Sequence, residues 1–242
     1  MNIHIMTLFP EMFEGPMGSS MIKRGREDGL LTLEYYHIRE FSKNKHQKVD
    51  DYPYGGGSGM VMTPQPIMDA YRHIKSRCKG SKPRTIYLTP KGKLFHQGMA
   101  EELAKEEELI FLCGHYEGVD QRVIDEIVTD EVSIGDYVLT GGELPAMVMI
   151  DAIARMIPGF LSSDEAYEDE SIYSGLLEYP QYTRPREFEG NEVPEILLSG
   201  DHEKVRLWRR KKSLEVTAEK RPDLYEKYSL SKEEEKLLKK KK

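Results

Sequence analysis

Glycine-rich turns are the parts of this sequence best suited to holding a ligand. They occur at residues 55–59, at Gly92, at residues 114–118, and at Gly135, Gly141 and Gly142. Glycine allows a backbone to approach a ligand closely and to adopt positive φ. One such turn alone is more often a structural turn, but here several follow strand-like segments. Because ligands of parallel α/β proteins bind beyond the carboxyl ends of strands, these turns predict a pocket of nucleotide size.

The standard nucleotide and hydrolase motifs are absent from the sequence. Residues 55–60 do not fit G-x-G-x-x-G, and G-x-x-x-x-G-K-[ST] does not occur, which argues against Rossmann and P-loop sites. The seven histidines lack HExxH spacing, and no G-x-S-x-G elbow occurs. Since Cys78 and Cys113 form neither a CxxC pair nor a disulfide framework, no metal site is predicted.

The elements that would position the turns alternate between strand and helix. Apolar segments predict strands at 3–9, 31–36, 85–88, 109–113 and 131–134, and helical patterns lie at 12–26, 63–77, 95–105, 119–128 and 144–156. Continuous apolar strands between helices are typical of a parallel sheet covered on both faces. The sequence therefore predicts an α/β fold for its first two thirds.

Charge divides the 242 residues into unlike parts. The net charge is −7, but residues 201–242 carry +6 and the first 200 residues carry −13. Residues 162–174 hold five acidic residues and no basic one. We predict an α/β domain at 1–161, an acidic flexible linker at 162–174 and a helical domain at 175–242. The basic tail is either a polyanion-binding appendage or a solvated helical face, and its charge alone does not decide between them.

Secreted and membrane classes are not expected. No apolar run approaches the roughly 20 residues that a membrane span needs. The amino terminus lacks the basic start and the apolar stretch of a signal peptide. We therefore expect a cytoplasmic protein with no membrane partner.

Five long blocks of the sequence resemble the bacterial tRNA (guanine-N1)-methyltransferase family. They lie at 53–60, 113–120, 133–146, 175–185 and 193–200, in the family's order. The resemblance implies a SPOUT-type fold, in which the parallel sheet carries a deep trefoil knot, a rare feature in proteins. It also implies a homodimer that transfers a methyl group from S-adenosylmethionine to N1 of guanine 37 of tRNA, 3′ of the anticodon.

The resemblance further implies a cofactor site made of three loops, in which main-chain groups read adenine and apolar side chains sandwich it. The implied residues are Tyr87, Leu88, Thr89, Pro90, Gly114, Tyr116, Glu117, Ile134, Gly135, Asp136, Tyr137, Val138, Leu139, Gly141, Gly142 and Pro145. Ile134 and Leu139 are alternatively core residues. Ser58 stands where the family usually has proline, which loosens the loop. The family is also described as using Mg²⁺.

The implied catalytic residues are a linker carboxylate and an arginine. The family's general base is an aspartate before Ser-Phe, whereas residues 168–172 here read Glu-Asp-Glu-Ser-Ile. Alignment on the serine selects Glu170, and residue identity selects Asp169, which we prefer for its shorter side chain. Arg155 matches the arginine that would stabilise charge at O6 of guanine; as a helix-end residue, it could alternatively lie only on the surface.

The predicted tRNA-binding residues lie in the last third of the chain. They are Arg184, Ser199, Arg209 and Arg210. Two other functions stay open from the sequence: a SPOUT enzyme that methylates a ribose 2′-hydroxyl, and a non-catalytic RNA-binding protein. The block at 175–185 argues against the ribose enzyme.

Overall fold

A five-stranded parallel sheet organises the amino-terminal part of the chain. The computed structural model describes residues 1–78, 83–161, 172 and 174–239. These divide into an amino-terminal unit, Met1–Leu161, and a carboxy-terminal unit, Ser162–Lys242. In the first unit the strands are β1 (Asn2–Thr7), β2 (Thr32–His37), β3 (Asp50–Asp51), β4 (Val61–Met62), β5 (Arg84–Leu94), β6 (Glu108–Leu112) and β7 (Asp130–Ser133). The main sheet has the order β2-β1-β6-β5-β7 with all neighbours parallel, while β3 and β4 form a short antiparallel pair.

Helices cover both faces of this sheet. They are α1 (Glu14–Met17), α2 (Ser20–Glu27), α3 (Pro64–Lys75), α4 (Gln97–Leu103), α5 (Gln121–Ile127) and α6 (Glu143–Ala154). Short 3-10 helices lie at Pro10–Phe13 and Ile38–Phe41. Among the helices of the described residues, none combines the length and the apolar character of a membrane span.

Side-chain alternation along the strands divides the core into two layers. Ile3 and Ile5 of β1 pack in one buried cluster with residues of α2, α4 and α6, whereas Met6 packs in the other with residues of α3 and α5. The same alternation appears in β6, where Phe111 and Leu112 fall in opposite clusters. Successive strand side chains point to opposite faces, so apolar residues on both faces require helices on both. The predicted α/β fold with a parallel sheet is confirmed.

Two predicted elements differ from the structure. The helix predicted at 12–26 is divided into a 3-10 turn, α1 and α2, and the poor helix former Gly18 lies at the break between α1 and α2. The strand predicted to stop at Leu88 continues to Leu94. Both Leu88 and Lys93 pair with Val132 of β7, so residues 89–92 form a bulge rather than a terminating turn.

The carboxy-terminal unit is built on one long helix. Its elements are β8 (Glu187–Phe188), β9 (Asn191–Glu192), a 3-10 helix at Glu195–Leu198, α7 (His202–Lys220), α8 (Pro222–Tyr225) and α9 (Lys232–Lys239). The backbone N–H of Leu177 donates to Thr217 Oγ1 of α7 at 2.8 Å, and Ser213 Oγ donates to the Leu177 carbonyl. Leu176 and Leu214 are fully buried. The segment that precedes β8 is therefore fixed along α7.

Candidate active site

One cavity of about 470 Å³ lies at the bulge of β5 and at the carboxyl ends of β6 and β7. It is lined by fifteen of the sixteen residues predicted to hold a cofactor. Parallel strands end at one edge of a sheet, so segments distant in sequence converge there. Asp136 is the exception: its side chain is exposed, and it is not part of the lining.

Three apolar side chains border the cavity, and they differ in how far they also belong to the core. Leu88 is buried, and Ile134 is half-buried and packs against the main hydrophobic cluster. Leu139 is 39% exposed and belongs to neither buried cluster. The alternative interpretation as a core residue therefore fails for Leu139, while Ile134 contacts both the core and the cavity.

The β5 bulge supplies one wall of the cavity. Thr89, Pro90 and Lys91 line it, and they lie between the two residues that pair with Val132. The strand resumes at Gly92, where a Cβ atom would lie 2.3 Å from the Val132 backbone nitrogen. Only glycine fits such close backbone packing. The bulge therefore turns three residues out of the sheet and toward the cavity.

The turn after β6 forms another wall of the cavity. Tyr116 has φ +59°, a left-handed conformation rarely adopted by non-glycine residues. The turn is fixed by hydrogen bonds from the Glu117 backbone N–H to the Met60 carbonyl and from the Met62 N–H to the Gly118 carbonyl, both 2.9 Å. β4 and the residue before it therefore support the turn that carries Tyr116 and Glu117.

A buried carboxylate connects three segments beside the cavity. Glu143, the first residue of α6, is 1% exposed. Thr7 Oγ1 at the end of β1 donates to Glu143 Oε1 at 2.7 Å, and His115 Nε2 lies 3.0 Å from Glu143 Oε2. A buried carboxylate is costly without such partners, and the amino-terminal end of a helix favours its negative charge. No sequence pattern indicates this contact, since Thr7 and Glu143 are 136 positions apart.

Gly141 leaves the space that the Glu143 and His115 side chains occupy. A Cβ atom at Gly141 would lie 2.2 Å from His115 Nε2 and 2.5 Å from Glu143 Oε2. The next glycine, Gly142, donates its N–H to the Gly114 carbonyl at 2.9 Å and so ties the start of α6 to the turn after β6. A side chain at Gly141 would separate this pair and distort the lining.

Comparison with known proteins decides the family. Residues 1–227 match the family model described as tRNA (Guanine-1)-methyltransferase TrmD. The chain belongs to the TrmD family. Curated relatives named tRNA (guanine-N(1)-)-methyltransferase include one from Alkaliphilus metalliredigens, 62% identical over 97% of this chain and 95% of the relative. A relative from Clostridioides difficile is 60% identical over 94% of this chain and 98% of its own length.

Of the three catalytic residues implied by the resemblance to the TrmD family, only Arg155 lies within the described part of the chain, and it is not part of the cavity lining. Asp169 and Glu170 lie outside the described residues. Arg155 is the residue that ends α6, whereas the cavity adjoins the start of that helix. Twelve helical residues extend about 18 Å, so Arg155 lies far along the helix from the cavity of its own chain.

The predicted tRNA-binding residues of this TrmD-family chain have different environments. Arg184 and Arg209 line a second cavity, of about 760 Å³, within the carboxy-terminal unit. The Arg209 guanidinium lies 4.9 Å from the centre of the Tyr179 ring, a cation–π contact. Ser199 Oγ is occupied in its own turn, donating to the Ile196 carbonyl at 2.7 Å.

Arg210 is held inside the carboxy-terminal unit. Its Nε donates to Glu234 Oε1 at 2.6 Å, and its Nη2 contacts the Tyr228 hydroxyl. Burial alone would raise the pKa of Glu234, but hydrogen bonds from Ser231, Arg210 and Tyr228 lower it overall. The geometry therefore gives Arg210 a structural role that its basic neighbours in the sequence did not reveal.

We expect Gly141→Val to weaken S-adenosylmethionine binding at least about tenfold, equivalent to about 1.4 kcal/mol. The valine must displace His115 and Glu143, which would distort the cavity lining. Isothermal titration calorimetry measures the affinity, and circular dichroism checks the fold. Unchanged affinity in a folded variant would remove Gly141 from the site.

Substitutions of the adjacent residues Arg209 and Arg210 of α7 should affect stability and tRNA binding differently. Arg210→Ala should lower the free energy of unfolding by about 1–3 kcal/mol, because it leaves the Glu234 carboxylate without a charged donor. Arg209→Ala, the matched control, should change stability much less. Urea unfolding measures both.

For tRNA affinity we expect the reverse: a change at Arg209 should matter more than a change at Arg210. Arg209→Glu should weaken binding and reduce the slope of log affinity against log salt by about 1 for each phosphate that the arginine neutralises in the wild type. Filter binding at several salt concentrations measures this slope. If Arg209→Glu leaves the slope unaltered, the arginine is only part of a solvated face.

Proposed function

We propose that this chain binds S-adenosylmethionine in the cavity at the β5 bulge and the ends of β6 and β7 and transfers its methyl group to N1 of guanine 37 of tRNA. Membership of the TrmD family makes the chain a tRNA guanine-N1 methyltransferase. The observation that carries the cofactor assignment is the convergence of the three predicted loops around a single cavity.

The cavity suits a nucleoside with a short charged chain. Its volume of about 470 Å³ lies within the roughly 300–1,000 Å³ of small-molecule sites. Leu88, Ile134 and Leu139 offer apolar contacts to an adenine ring, and the backbone of residues 134–139 offers polar groups. The exposed carboxylate of Glu117 lies in the lining, where it can pair with the amino group of the methionine moiety.

The reaction requires a base for the guanine. S-adenosylmethionine supplies an electrophilic methyl group on its sulfonium. Guanine N1 carries a proton at neutral pH, and Asp169 or Glu170 accepts it as the methyl group arrives. Arg155 then stabilises the negative charge that develops at O6. An anticodon-loop base is largely unpaired, so presenting it to the site costs less than flipping a duplex base.

The position of Arg155 supports a site shared by two chains. α6 exposes Leu144 and Val148, one turn apart on the same face. Val138 and Tyr137 add exposed apolar surface beside the cavity. Contiguous exposed apolar surface marks an interaction site. In a two-fold homodimer with antiparallel α6 helices, Arg155 would approach the start of the partner's α6 and the partner's cavity.

The remaining features follow the family resemblance. We propose the SPOUT knot for the sheet, a boundary near residue 161, a linker at 162–174 and a tRNA-binding domain at 175–242, all in a cytoplasmic enzyme. Mg²⁺ finds little support: within the described residues, no group of three or more potential metal-ligating side chains lies in the cavity. We therefore assign no step to Mg²⁺.

The direct test is methyl transfer to tRNA transcripts. A transcript with guanine 37 should accept one methyl group, and the matched transcript with adenine 37 should accept none. Mass spectrometry of the digested product should place the methyl group on the base. A ribose 2′-O-methyl product would select the sugar-modifying enzyme, and binding of tRNA without transfer would select a non-catalytic RNA-binding protein.

The two linker carboxylates should contribute unequally. We expect Asp169→Asn to slow single-turnover methyl transfer by roughly a hundred- to ten-thousand-fold, the range for a lost general base. Glu170→Gln should have a much smaller effect, and cofactor affinity should survive in both. The opposite ranking would assign the role to Glu170. Full activity in the double variant would exclude a linker base.

Mixed dimers should show which chain supplies Arg155. A dimer that pairs an Arg155→Ala chain with a Gly141→Val chain retains one complete site only if the arginine acts on the partner's cavity. Purification through two affinity tags should then recover about half of wild-type activity. If Arg155 acts within its own chain, both sites are defective and the mixed dimer stays inactive.

A further inference from the structure

A second cluster of reactive side chains lies away from the cavity, toward the amino ends of β1 and β6. His4 is near the start of β1, Glu108 is the first residue of β6, and Cys78 lies shortly after α3. His4 and Glu108 are only 4% and 8% exposed. An imidazole and a carboxylate in such buried surroundings need polar partners. Here the Cys78 thiol contacts both of them.

The three side chains direct potential ligand atoms toward one point. Within the described residues they form the one group of three or more His, Cys, Asp or Glu ligands, with ligand atoms no more than 4.8 Å apart. His4 Nε2 and Cys78 Sγ are 3.8 Å apart. Ligand atoms around a tetrahedral Zn²⁺ with bonds of 2.0–2.3 Å are separated by roughly 3.5 Å. Small side-chain movements would therefore close the cluster around an ion.

His4 is oriented as a metal-ligating histidine would be. Its Nδ1 lies 3.3 Å from the Tyr36 hydroxyl, which donates to Glu34 Oε2 at 2.6 Å. Its Nε2 faces the thiol. Ligating histidines commonly use their second ring nitrogen in this way, which fixes the tautomer and the ring plane. Burial lowers the pKa of His4 and so favours the neutral imidazole.

The charges around the cluster favour a cation. Glu34 and Glu108 face it, opposed by Arg77, whose Nη1 lies 3.4 Å from Glu34 Oε2. Burial and a hydrogen bond to Glu108 raise the pKa of the Cys78 thiol to about 12, so the thiol keeps its proton until a metal ion displaces it. Cys78 as a residue is partly exposed.

We propose that His4, Cys78 and Glu108 form a binding site for Zn²⁺ that is separate from the catalytic cavity. A thiolate, an imidazole and a carboxylate match the preferences of Zn²⁺ and do not suit Mg²⁺. Three protein ligands leave a fourth position for water. Bound there, the ion joins β1, β6 and the segment after α3, and so stabilises the amino-terminal edge of the sheet.

Titration of the full-length, chelator-treated protein with Co²⁺ tests the site. Thiolate coordination should give a near-ultraviolet charge-transfer band that saturates at one ion per chain, and added Zn²⁺ should abolish it. Cys78→Ser should lose this band. Glu108→Gln should bind at least about tenfold more weakly, whereas the exposed neighbour change Glu107→Gln, the matched control, should not alter binding.

Zn²⁺ should also raise the unfolding temperature of the wild-type protein and not that of Cys78→Ser, because ligand binding stabilises the folded state. Absence of the charge-transfer band in the wild type, or equal Zn²⁺ uptake by Cys78→Ser, would overturn the proposal and leave only adventitious binding by surface histidines. The readouts do not involve methyl transfer, so they stand apart from the proposed function.

Discussion

The burial of one carboxylate constrains the geometry of the candidate active site. Glu143 lies at the start of α6 and is held by Thr7 and His115. These partners come from the end of β1 and from the turn after β6, so a single side chain fixes three segments beside one cavity. A buried carboxylate tolerates little displacement from its partners. The glycine at position 141 follows from this arrangement, because a side chain there would occupy the space of the pair.

The two ends of the parallel strands carry different groups of side chains. At the carboxyl ends of the strands, the β5 bulge, the turn after β6 and the loop after β7 surround an open cavity. Near the amino ends, His4 and Glu108 meet Cys78 in a tight polar cluster. The sheet's apolar interior separates the two, so a ligand at one edge has no contact with the other. A cofactor site and a structural ion site can therefore coexist in one small unit.

The sequence predicted what depends on local pattern. Alternating apolar strands and helices gave the α/β fold, and the family motifs named the loops that converge on the cavity. The sequence could not show which residues distant in the chain pair with each other. The segment from Thr89 to Gly92 reads as a turn, and only pairing with Val132 makes it a bulge. Arg210 reads as one basic residue among several, and only Glu234, 24 residues later, gives it a structural role. The choice between Asp169 and Glu170 as the base depends on a shift of one position in the alignment. Both residues lie outside the described residues, so the choice stays a prediction.

A crystal structure of the protein with S-adenosylhomocysteine would test the central assignment most directly. We expect the adenine ring between Leu88, Ile134 and Leu139, hydrogen-bonded to the backbone of residues 134–139. Glu143 should still bind Thr7 and His115 in the complex. Density for the nucleoside outside this cavity, or separation of the Glu143–His115 pair when the nucleoside binds, would contradict the assignment.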